Sequence, residues 1–434
     1  MDSTNNVDYQ RTLQLPRTGF PMRAQLSQRE PEFLRRWEEQ KLYQRLQELG
    51  KAQNRPLWIL HDGPPYANGD IHIGTAFNKI LKDIVIRSHS MDGYHSPYVP
   101  GWDTHGLPIE HAIITAHGID RHAIDPVEFR RRCKEYALHY VSVHREQFRR
   151  LGVWGDWENP YLTLTPEYEA RQVEVFGEMA RRGYIYKGLK PVYWCPHCET
   201  ALAEAEIEYR DHRSPSVYFT FPVVDGKGLL PSDSAVAVWT TTPWTIPANM
   251  AIALHPEFIY VLAETDRGLL LMADGLVAQV AQATGLTVRE VKQQFRGREL
   301  EGVVTRHPLF DRESPIILAE HVTLEQGTGC VHTAPGHGLE DYEVGQRYGL
   351  PVFAPVDAQG RFTAEGGPYA GQKVADANRP IIADLDKAGR LLAHANVDHQ
   401  YPHCWRCRNP VIFRATEQWF ASVEGFREAA LAAI

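Results

Sequence analysis

Two C-x-x-C pairs constrain this chain more than any other feature of its sequence. They are Cys195-Pro196-His197-Cys198 and Cys404-Trp405-Arg406-Cys407. Each pair offers two sulfurs from one turn, and four thiolates together make a tetrahedral zinc site. Two unrelated pairs or a thioredoxin-like redox pair are the alternatives, but redox chemistry needs one C-x-x-C at a helix start rather than two distant ones. We therefore predict that Cys195, Cys198, Cys404 and Cys407 bind a structural Zn2+ ion.

Pairing of the two motifs would have a consequence for the topology. Roughly 200 residues separate them, so the intervening segment would be a loop whose ends are pinned together. Such a loop is an inserted domain on a stalk, and the metal would contribute folding energy rather than catalysis. A chain of 434 residues also exceeds one ordinary core, so two or three domains are expected. We place the zinc knuckles at 195–198 and 404–407, the insertion at 199–403 and a return segment at 408–434.

The composition predicts a soluble globular protein without a strongly basic surface. The formal net charge is −8, and hydrophobic residues make up 43% of the chain. The Lys/Arg runs at 130–134 and 145–150 are more typical of solvated helix faces than of an RNA site. The polar N-terminus, residues 1–23, has no apolar signal segment, and no run approaches the roughly 18 apolar residues of a membrane span. We expect a cytoplasmic protein with no membrane partner.

The first part of the chain predicts alternating helices and strands. An amphipathic packing helix is expected from Pro31 to Leu49, stopped by Gly50, and a buried strand over Leu57–Leu60. A loop over 62–70 leads into a helix over 74–90. A strand over 97–99 would complete a βαβ unit of a parallel sheet, and such sheets bind ligands at the carboxyl ends of their strands. The helix over 74–90 carries Ala76, Ile80, Leu81, Ile84 and Val85 on one side.

The composition of the chain changes after Cys198. Before it, further helices are predicted over 126–151 and 166–182. After it, short β-branched runs separated by turn residues occur at 216–221, 235–241, 259–263 and 316–318. This pattern is typical of a mixed, strand-rich domain, which we expect to last to about residue 400.

The segment from Gly63 to Thr75 has features of a nucleotide site. It lies between the predicted strand and helix, where His72 and a helix N-terminus could hold phosphates. Gly74 permits close approach of a nucleotide to the backbone. A His-x-Gly at a helix start is weak evidence alone, so the surrounding sequence decides its meaning.

That surrounding sequence resembles the class I aminoacyl-tRNA synthetases, and among them the isoleucine-specific enzymes. The matching segments run in order along the whole chain: DGPPYANGDIHIG at 62–74, GWDTHGLPIE at 101–110, LGVWGDW at 151–157, WTTTPWT at 239–245, GTGCVHTAPGHG at 327–338 and FRATEQWF at 413–420. The resemblance implies an α/β fold in which an incomplete Rossmann-like, parallel-sheet catalytic domain is interrupted by a strand-rich inserted editing domain. A helical extension would occupy 1–55, and the first half of the catalytic domain 56–194.

The resemblance also implies a reaction. Isoleucine would be activated by ATP, with Mg2+ accompanying ATP as substrate, and then transferred to tRNA(Ile). Gly63 and Pro64 would line the isoleucine pocket, and Asp103 would pair with the substrate ammonium group. Without the family, Asp103 could equally be a turn-capping aspartate. The ATP contacts would come from Asn68, His72, Gly74 and Thr75.

Two departures from the family pattern affect the expected activity. The family signature ends in a second histidine where this chain has Thr75, and losing one preorganised donor to a developing oxyanion typically costs about 3 kcal/mol. We therefore expect weakened or altered adenylation. The family's later Lys-Met-Ser-Lys-Ser loop does not occur in this sequence, so we expect that this chain alone cannot charge tRNA.

The insertion is expected to hydrolyse misacylated tRNA. A hydrophobic pocket separates isoleucine from valine by only about 1–3 kcal/mol, a limit for which the isoleucine enzyme is itself the standard example. The resemblance implies that Asp341 anchors the ammonium group of the misattached valine and that His332 keeps isoleucine out. Without the family, a threonine run in a strand indicates only β-propensity, and Asp341 could be a helix cap. The other implied residues are Thr241 and Thr242 in catalysis, and Thr240 and Asn249 in the pocket.

Two further functions stay open on the sequence alone. One is an editing-only deacylase, and the other is a non-catalytic tRNA- or zinc-binding remnant of a synthetase. The expected partners are tRNA(Ile), isoleucine and ATP, and the expected state is a monomer.

Overall fold

The structure, a computed structural model, describes residues 12–14, 19 and 23–434. Most of the polar N-terminus discussed above therefore lies outside the described residues. The chain divides into two compact units, residues 1–178 and 179–434. Across the described residues, we find no helix that combines the length and the apolar character needed to cross a membrane.

The first unit is mainly helical. Parallel pairing joins its two short strands, and single parallel bridges join Leu57 to His95 and Tyr66 to Asp103. The core of the unit includes the fully buried side chains of Trp102 and Phe148. Its elements are α1 (Leu26–Glu39), α2 (Leu42–Ala52), α3 (Ile73–Met91), β1 (Gly101–Trp102), α4 (Leu107–His117), α5 (Pro126–Arg150), β2 (Tyr161–Leu162) and α6 (Pro166–Arg181), the last of which ends just past the boundary.

Three of the predicted helices occur within one residue of their expected ends. These are α3, α5 and α6. The start of α5 shows why: Pro126 occupies its first turn, and the Asp125 carboxylate accepts hydrogen bonds from the amides of Val127 and Glu128. A capping aspartate and a proline whose φ suits a helix are strong local start signals.

The helix predicted from Pro31 to Leu49 is wrong in its bounds. The chain forms two helices, α1 and α2, because Lys41 adopts a left-handed conformation with φ 47°. Pro31 lies inside α1 rather than at its start. Gly50 does not stop the helix but lies within α2, where the ring of His95 comes to 3.0 Å from the position that a Cβ atom would occupy. The glycine therefore permits the close approach of the His95 ring and does not end the helix.

The two strands predicted around α3 are also corrected. Leu57–Leu60 forms only the single bridge at Leu57, and the side chains of Leu57 and Ile59 are 60% and 64% exposed. No strand forms over 97–99; the pairing strand is β1, two residues further on. Tyr98 is instead fully buried, and its backbone bonds to the Tyr43 hydroxyl through both N–H and C=O. Side-chain packing has therefore replaced strand pairing here.

The apolar side of helix α3 is not its buried side. The apolar side chains of Ile80, Leu81, Ile84 and Val85 are exposed. Lys79 and Ile86 are its buried residues. The helix thus turns a partly charged face into the unit, because Asp62 provides a buried carboxylate for the lysine.

The second unit confirms the prediction of a strand-rich segment after Cys198. In the described part of the chain, ten strands form one mixed sheet in the order β10-β8-β9-β6-β5-β11-β12-β7-β13, with β14 paired to β5. The four predicted strand segments lie in β5, β6, β8 and β12, except that Thr241 follows the end of β6. Strands of this sheet are β5 (Ile207–Asp225), β6 (Ser234–Thr240), β7 (Ala251–Leu254), β8 (Ile259–Thr265), β9 (Gly268–Ala273), β10 (Val288–Arg296), β11 (Val304–Arg306), β12 (Glu313–Leu318), β13 (Cys330–Thr333) and β14 (Leu391–Cys404).

The remaining elements of the second unit complete its core. A three-stranded sheet has the order β15-β3-β4, from β3 (Ile185–Cys195), β4 (Thr200–Leu202) and β15 (Ile412–Ala421). The main core lies against the large sheet and includes Phe219, Val238 and Ile381. The helices are α7 (Val277–Thr284), α8 (Leu339–Arg347), α9 (Val374–Lys387) and α10 (Arg427–Ala433).

Two long antiparallel ribbons carry the chain into and out of the large sheet. In one, β3 pairs with β15 from Trp194 opposite Ile412 to Ile185 opposite Ala421. In the other, β5 pairs with β14 from Ile207 opposite Cys404 to Phe219 opposite Leu391. The two C-x-x-C motifs lie where one ribbon gives way to the other.

Candidate functional site

The first candidate site is a cavity of about 470 Å³ beside the N-terminus of α3. The loop between Gly63 and Thr75 forms most of its wall. Lys79 and His144, which sequence reasoning had not singled out, also line it. The predicted residues on its wall are Gly63, Pro64, Asn68, His72, Gly74 and Thr75.

His72 caps the helix at the cavity. Its Nδ1 accepts hydrogen bonds from the backbone amides of Gly74 (3.1 Å) and Thr75 (3.3 Å). A Cβ atom at position 74 would lie 2.9 Å from the His72 ring, so the capping geometry requires glycine there. These amides carry the positive end of the helix dipole, and they are the groups predicted to hold phosphate. A phosphate would reach them only after the His72 ring had rotated away.

Asp103 lies next to the loop without lining the cavity. The amide of Asp103 donates to Pro65 O, and its carbonyl accepts from the Ala67 amide, both at 2.9 Å. The Thr163 hydroxyl donates to one carboxylate oxygen at 3.3 Å. Backbone hydrogen bonds therefore join Asp103 to residues 65 and 67, which directly follow the predicted pair Gly63 and Pro64.

A buried charge network lies under this loop. The Asp62 carboxylate accepts hydrogen bonds from Lys79 Nζ, from Lys82 Nζ (2.7 Å) and from the Gly101 amide (3.0 Å). Burial lowers the pKa of Lys79 to about 8, although the nearby Asp62 opposes that shift. The sequence signal for this network was present, because Lys79, Lys82 and Ile86 have helical spacing on one face.

The second candidate site is the cluster of four cysteines in the second unit. The sulfurs of Cys195, Cys198, Cys404 and Cys407 all lie within 4.8 Å of one another. The predicted pairing of the two motifs is thus what the structure shows. Tetrahedral coordination with Zn–S bonds of about 2.3 Å would place the sulfurs about 3.8 Å apart, so the donor set and its spacing fit a zinc ion.

Each knuckle ends in the same backbone conformation. The residue that follows each C-x-x-C, Glu199 in one case and Arg408 in the other, has a positive φ of 51° and 61°. The Cys198 amide donates to the Cys195 sulfur at 3.3 Å. A hydrogen bond from the Cys198 thiol lowers the pKa of Cys195 to about 5, which favours a thiolate there. Both turns therefore present their sulfurs toward one shared point.

The third candidate site surrounds the threonine run at the end of β6. Thr240 and Thr241 line a cavity of about 500 Å³ together with Thr328 and His332. Two of the segments that carry the family resemblance, at 239–245 and 327–338, thus meet at one cavity. Thr241 also borders a second cavity of about 580 Å³, which Thr242 and Trp244 line as well.

His332 is held in place by two side chains. Its Nε2 lies 2.9 Å from the Thr245 hydroxyl, and its Nδ1 lies 2.9 Å from the Asn249 amide nitrogen. Because the Thr245 hydroxyl already donates to Thr242 O, the ring must donate through Nε2 and accept through Nδ1. Burial lowers the pKa of His332 to about 3. The imidazole is therefore neutral, and it contributes shape rather than a titrating proton.

Asn249 does not occupy the pocket position expected for it. The residue is completely buried, and its carbonyl oxygen accepts from the Ser314 hydroxyl at 2.7 Å. Its amide nitrogen serves Ala251 O as well as His332. With both polar atoms of its side chain engaged, Asn249 holds His332 in position from the side of the core. Strands β7, β12 and β13 bring these residues together, and sequence spacing alone did not reveal that pairing.

Asp341 lies in the first turn of α8, after β13. One carboxylate oxygen accepts a hydrogen bond from the Ala334 amide at 2.9 Å. Burial, helped by the neighbouring Glu340, raises the pKa of Asp341 to about 6. The structure therefore ties Asp341 to the segment that carries His332, two residues before Ala334, and the hydrogen bond described for it does not run to the threonines.

Comparisons with known proteins identify the family of the chain. A family model described as tRNA synthetases class I (I, L, M and V) matches residues 32–434. The chain therefore belongs to the class I tRNA synthetase family. Its relatives include the isoleucine–tRNA ligase of Moorella thermoacetica, 63% identical over 429 residues, which make up 99% of this chain and 46% of that protein. The isoleucine–tRNA ligase of Carboxydothermus hydrogenoformans is 62% identical over 98% of this chain and 46% of that protein.

The chain thus spans about half the length of the curated relatives that it matches. Among solved structures, the LeuRS of Agrobacterium radiobacter K84, in a ternary complex with tRNA and LeuAMS, gives a TM-score of 0.37 at 18% identity. That match covers 90% of this chain and 49% of the LeuRS chain. So low a score adds nothing to the family assignment.

Proposed function

We propose that this chain carries the amino-acid activation site and the editing site of an isoleucine–tRNA ligase. The observation that carries the proposal is the identity of 63% to a protein of that name along 99% of the chain. The first unit would bind isoleucine and ATP with Mg2+, and the second would hydrolyse valyl-tRNA(Ile). The partners are then isoleucine, ATP and tRNA(Ile).

The cavity beside α3 supports the activation site. Gly63 and Pro64 would contact the isoleucine side chain, and the Asp103 carboxylate would accept hydrogen bonds from the substrate ammonium group. Backbone bonds between the loop at 65–67 and Asp103 fix the distance between these two contacts. On ATP binding, His72 would release the amides of Gly74 and Thr75, which would then donate to a phosphate oxygen.

The two cavities that Thr241 borders, one of which is also lined by His332 and the other by Thr242, support the editing site. Hydroxyl groups of Thr241 and Thr242 would hold the ester and orient an attacking water, and Asp341 would pair with the valine ammonium group. An activated ester needs no protein nucleophile for this hydrolysis. The neutral, buried ring of His332 forms a fixed wall, so it would act by excluding the longer isoleucine side chain.

The cysteine cluster supports a structural zinc site. Cys195, Cys198, Cys404 and Cys407 would hold Zn2+, which supplies a cross-link between the two knuckles and takes no part in either reaction. The domain layout follows from this cross-link. Residues 199–403 would be the inserted editing domain, 56–194 would belong to the catalytic domain, and 408–434 would lead back toward it.

The activation site is tested by calorimetric titration with non-hydrolysable aminoacyl-adenylate analogues. We expect the isoleucyl analogue to bind at least about tenfold more tightly than the leucyl analogue, because leucine misplaces one methyl group in a pocket shaped for isoleucine, and a misfit of one carbon is typically worth roughly 1–3 kcal/mol. Asp103→Asn should weaken binding of the isoleucyl analogue at least tenfold, whereas Asp120→Asn, an exposed aspartate in the same unit, should not. Equal affinity for both analogues, or no effect of Asp103→Asn, would overturn this part of the proposal.

A further inference from the structure

One face of helix α5 contacts four consecutive residues, 68–71, of the loop between Gly63 and Thr75, which we call the nucleotide loop. The Tyr136 hydroxyl donates to the Asn68 side-chain oxygen at 2.8 Å. Gln147 uses both ends of its amide: its nitrogen donates to the Asp70 carboxylate at 2.6 Å, and its oxygen accepts from the Ile71 backbone amide at 3.1 Å. Since Tyr136 and Gln147 are eleven positions apart, they lie three turns apart on the same side of the helix.

His144 lies between Tyr136 and Gln147 on this face of the helix. It contacts both the nucleotide loop and β1. Its Nε2 lies 2.6 Å from the carbonyl oxygen of Gly69. Its Nδ1 accepts a hydrogen bond from the indole nitrogen of Trp102 at 3.2 Å. Trp102 is fully buried and directly precedes Asp103, so one imidazole ring connects the nucleotide loop to the strand end that carries the ammonium-binding candidate.

Only one protonation state of the ring satisfies both partners. A carbonyl oxygen can only accept and an indole N–H can only donate, so Nε2 must carry the hydrogen and Nδ1 must not. A second proton would place an N–H against the Trp102 N–H and break that bond. Burial lowers the pKa of His144; the charged groups facing it are Asp70 from the loop, which opposes the shift, and Lys79 from α3, which adds to it.

We propose that His144 is a positioning residue for adenylate formation, which in its neutral, Nε2-protonated form fastens the nucleotide loop to the strand end bearing Asp103. This inference rests on the proposed function, since it assumes that the loop binds ATP. Loss of the ring would leave the loop attached through Tyr136 and Gln147 but free to shift at Gly69. That glycine has a φ of 74°, so the backbone turns there and the carbonyl that His144 holds sets the direction of the turn.

A core histidine with two satisfied nitrogens is the ordinary alternative. It would stabilise the unit as a whole, and its replacement would loosen α3, α5 and the loop to the same extent. A positioning role predicts a local effect instead, confined to the segment from Gly69 to Thr75. The two roles therefore differ in where the protein loosens.

The test combines amide hydrogen exchange with nitrogen NMR on the whole 434-residue chain. We expect His144→Phe to accelerate exchange about tenfold in a peptide covering 68–75 and to leave exchange in α5 unchanged. His144→Gln, whose amide can still donate to Gly69 O, should restore most of the protection. His139→Gln, an exposed histidine on the same helix, should behave like the wild type. In 15N-histidine-labelled wild type at pH 7, the His144 signals should be those of the neutral Nε2–H tautomer.

The results that overturn the proposal are equally specific. They are an Nδ1–H or doubly protonated His144 in the wild type, unchanged loop exchange in His144→Phe, or loosening spread evenly over the unit. If His144→Phe fails to fold, the tautomer of His144 in the wild type and the rate of amide exchange in His144→Gln still distinguish a positioning role from a purely structural one. Titration with ATP and Mg2+ tests the effect on function. The affinity for ATP should fall about tenfold in His144→Phe and recover in His144→Gln. Absence of ATP binding by the wild type would count against the proposed function, while the exchange data would still judge His144.

Discussion

The sulfur of Cys195 lies 3.4 Å from the sulfur of Cys407, although 212 positions separate the two residues in the chain. Beside this contact, the β3–β15 ribbon ends and the β5–β14 ribbon begins. Every strand of the large mixed sheet lies between these two cysteines along the chain. A metal at this point would therefore tie together the two ends of the segment that forms the proposed editing site.

We predict that the purified chain binds one zinc ion and that Cys407→Ser abolishes binding. Loss of the ion should lower the free energy of unfolding of the second unit by about 3–5 kcal/mol. This is less than the roughly 10–16 kcal/mol of zinc-finger peptides, because the large core of this unit does not depend on the metal. Elemental analysis gives the stoichiometry, and urea unfolding with and without chelator gives the energy. Cys133→Ser, outside the cluster, should keep its zinc; a zinc-free wild type with full stability would contradict the prediction.

Three buried histidines should make the second unit sensitive to acid. Burial lowers the pKa of His307 to about 3, of His332 to about 3 and of His337 to about 4. Below about pH 6.5 these histidines are protonated in the unfolded chain but not in the folded state. The free energy of unfolding therefore falls as the pH decreases from 6.5 toward 4. Each histidine contributes up to about 1.4 kcal/mol per pH unit. Asp341, whose pKa is raised to about 6, acts in the opposite direction and offsets one of the three.

Together these four groups are expected to contribute a slope of about 3 kcal/mol per pH unit between pH 6 and pH 4.5. The slope is measured by urea unfolding at several pH values. Amide hydrogen exchange in β8 and β9 serves as the probe, so that the unfolding of this unit is observed. His332→Gln should reduce the slope by about 1.4 kcal/mol per pH unit, whereas the exposed His394→Gln should leave it unchanged. A flat profile, or equal slopes in both variants, would show that these histidines titrate normally.

Replacing Asp62 by asparagine should destabilise the first unit by about 3–5 kcal/mol, because it leaves Lys79 buried without its carboxylate. The substitution keeps the size of the side chain, so the change isolates the charge. Asp92→Asn, at the exposed end of α3, is the matched control and should fall within about 0.5 kcal/mol of the wild type. Chemical denaturation of the three proteins gives the comparison, and a loss below about 1 kcal/mol for Asp62→Asn would refute the importance of the pair.

Asn249→Ala should lower the free energy of unfolding of the second unit by about 3 kcal/mol. The change leaves His332 Nδ1, Ala251 O and the Ser314 hydroxyl without their partner in a buried region. Gln293→Ala on the exposed strand β10 should change stability by less than about 0.5 kcal/mol. Thermal and urea unfolding of both variants tests this, and similar values for the two would mean that Asn249 is not the support that we describe.

The sequence alone predicted those features whose signals are local. Asp125 and Pro126 mark the start of α5, and β-branched runs mark the strands of the large sheet. The cysteine cluster was predictable over a long separation because thiolate pairs at this spacing have few other uses. The family pattern also singled out the segments 239–245 and 327–338, which meet at the cavity of about 500 Å³.

The features that the sequence did not predict depend on tertiary contacts. The exposure of Ile80 and Leu81 on α3 could not be foreseen, because the hydrophobic stripe says only which face is apolar and not which face is covered. Lys79 is buried because Asp62 lies opposite, and Asn249 is buried because three strands enclose it. Likewise, the role of Gly50 follows from the approach of His95, which belongs to a distant part of the chain.

The rates at which the purified chain hydrolyses valyl-tRNA(Ile) and isoleucyl-tRNA(Ile) test the proposed function most directly. We predict that valine is released at least about a hundredfold faster than isoleucine, that Asp341→Asn removes most of this activity, and that Asp233→Asn retains it. Hydrolysis of both esters at the same rate, or no hydrolysis of valyl-tRNA(Ile) above the uncatalysed rate by a folded, zinc-loaded chain, would contradict the proposed function.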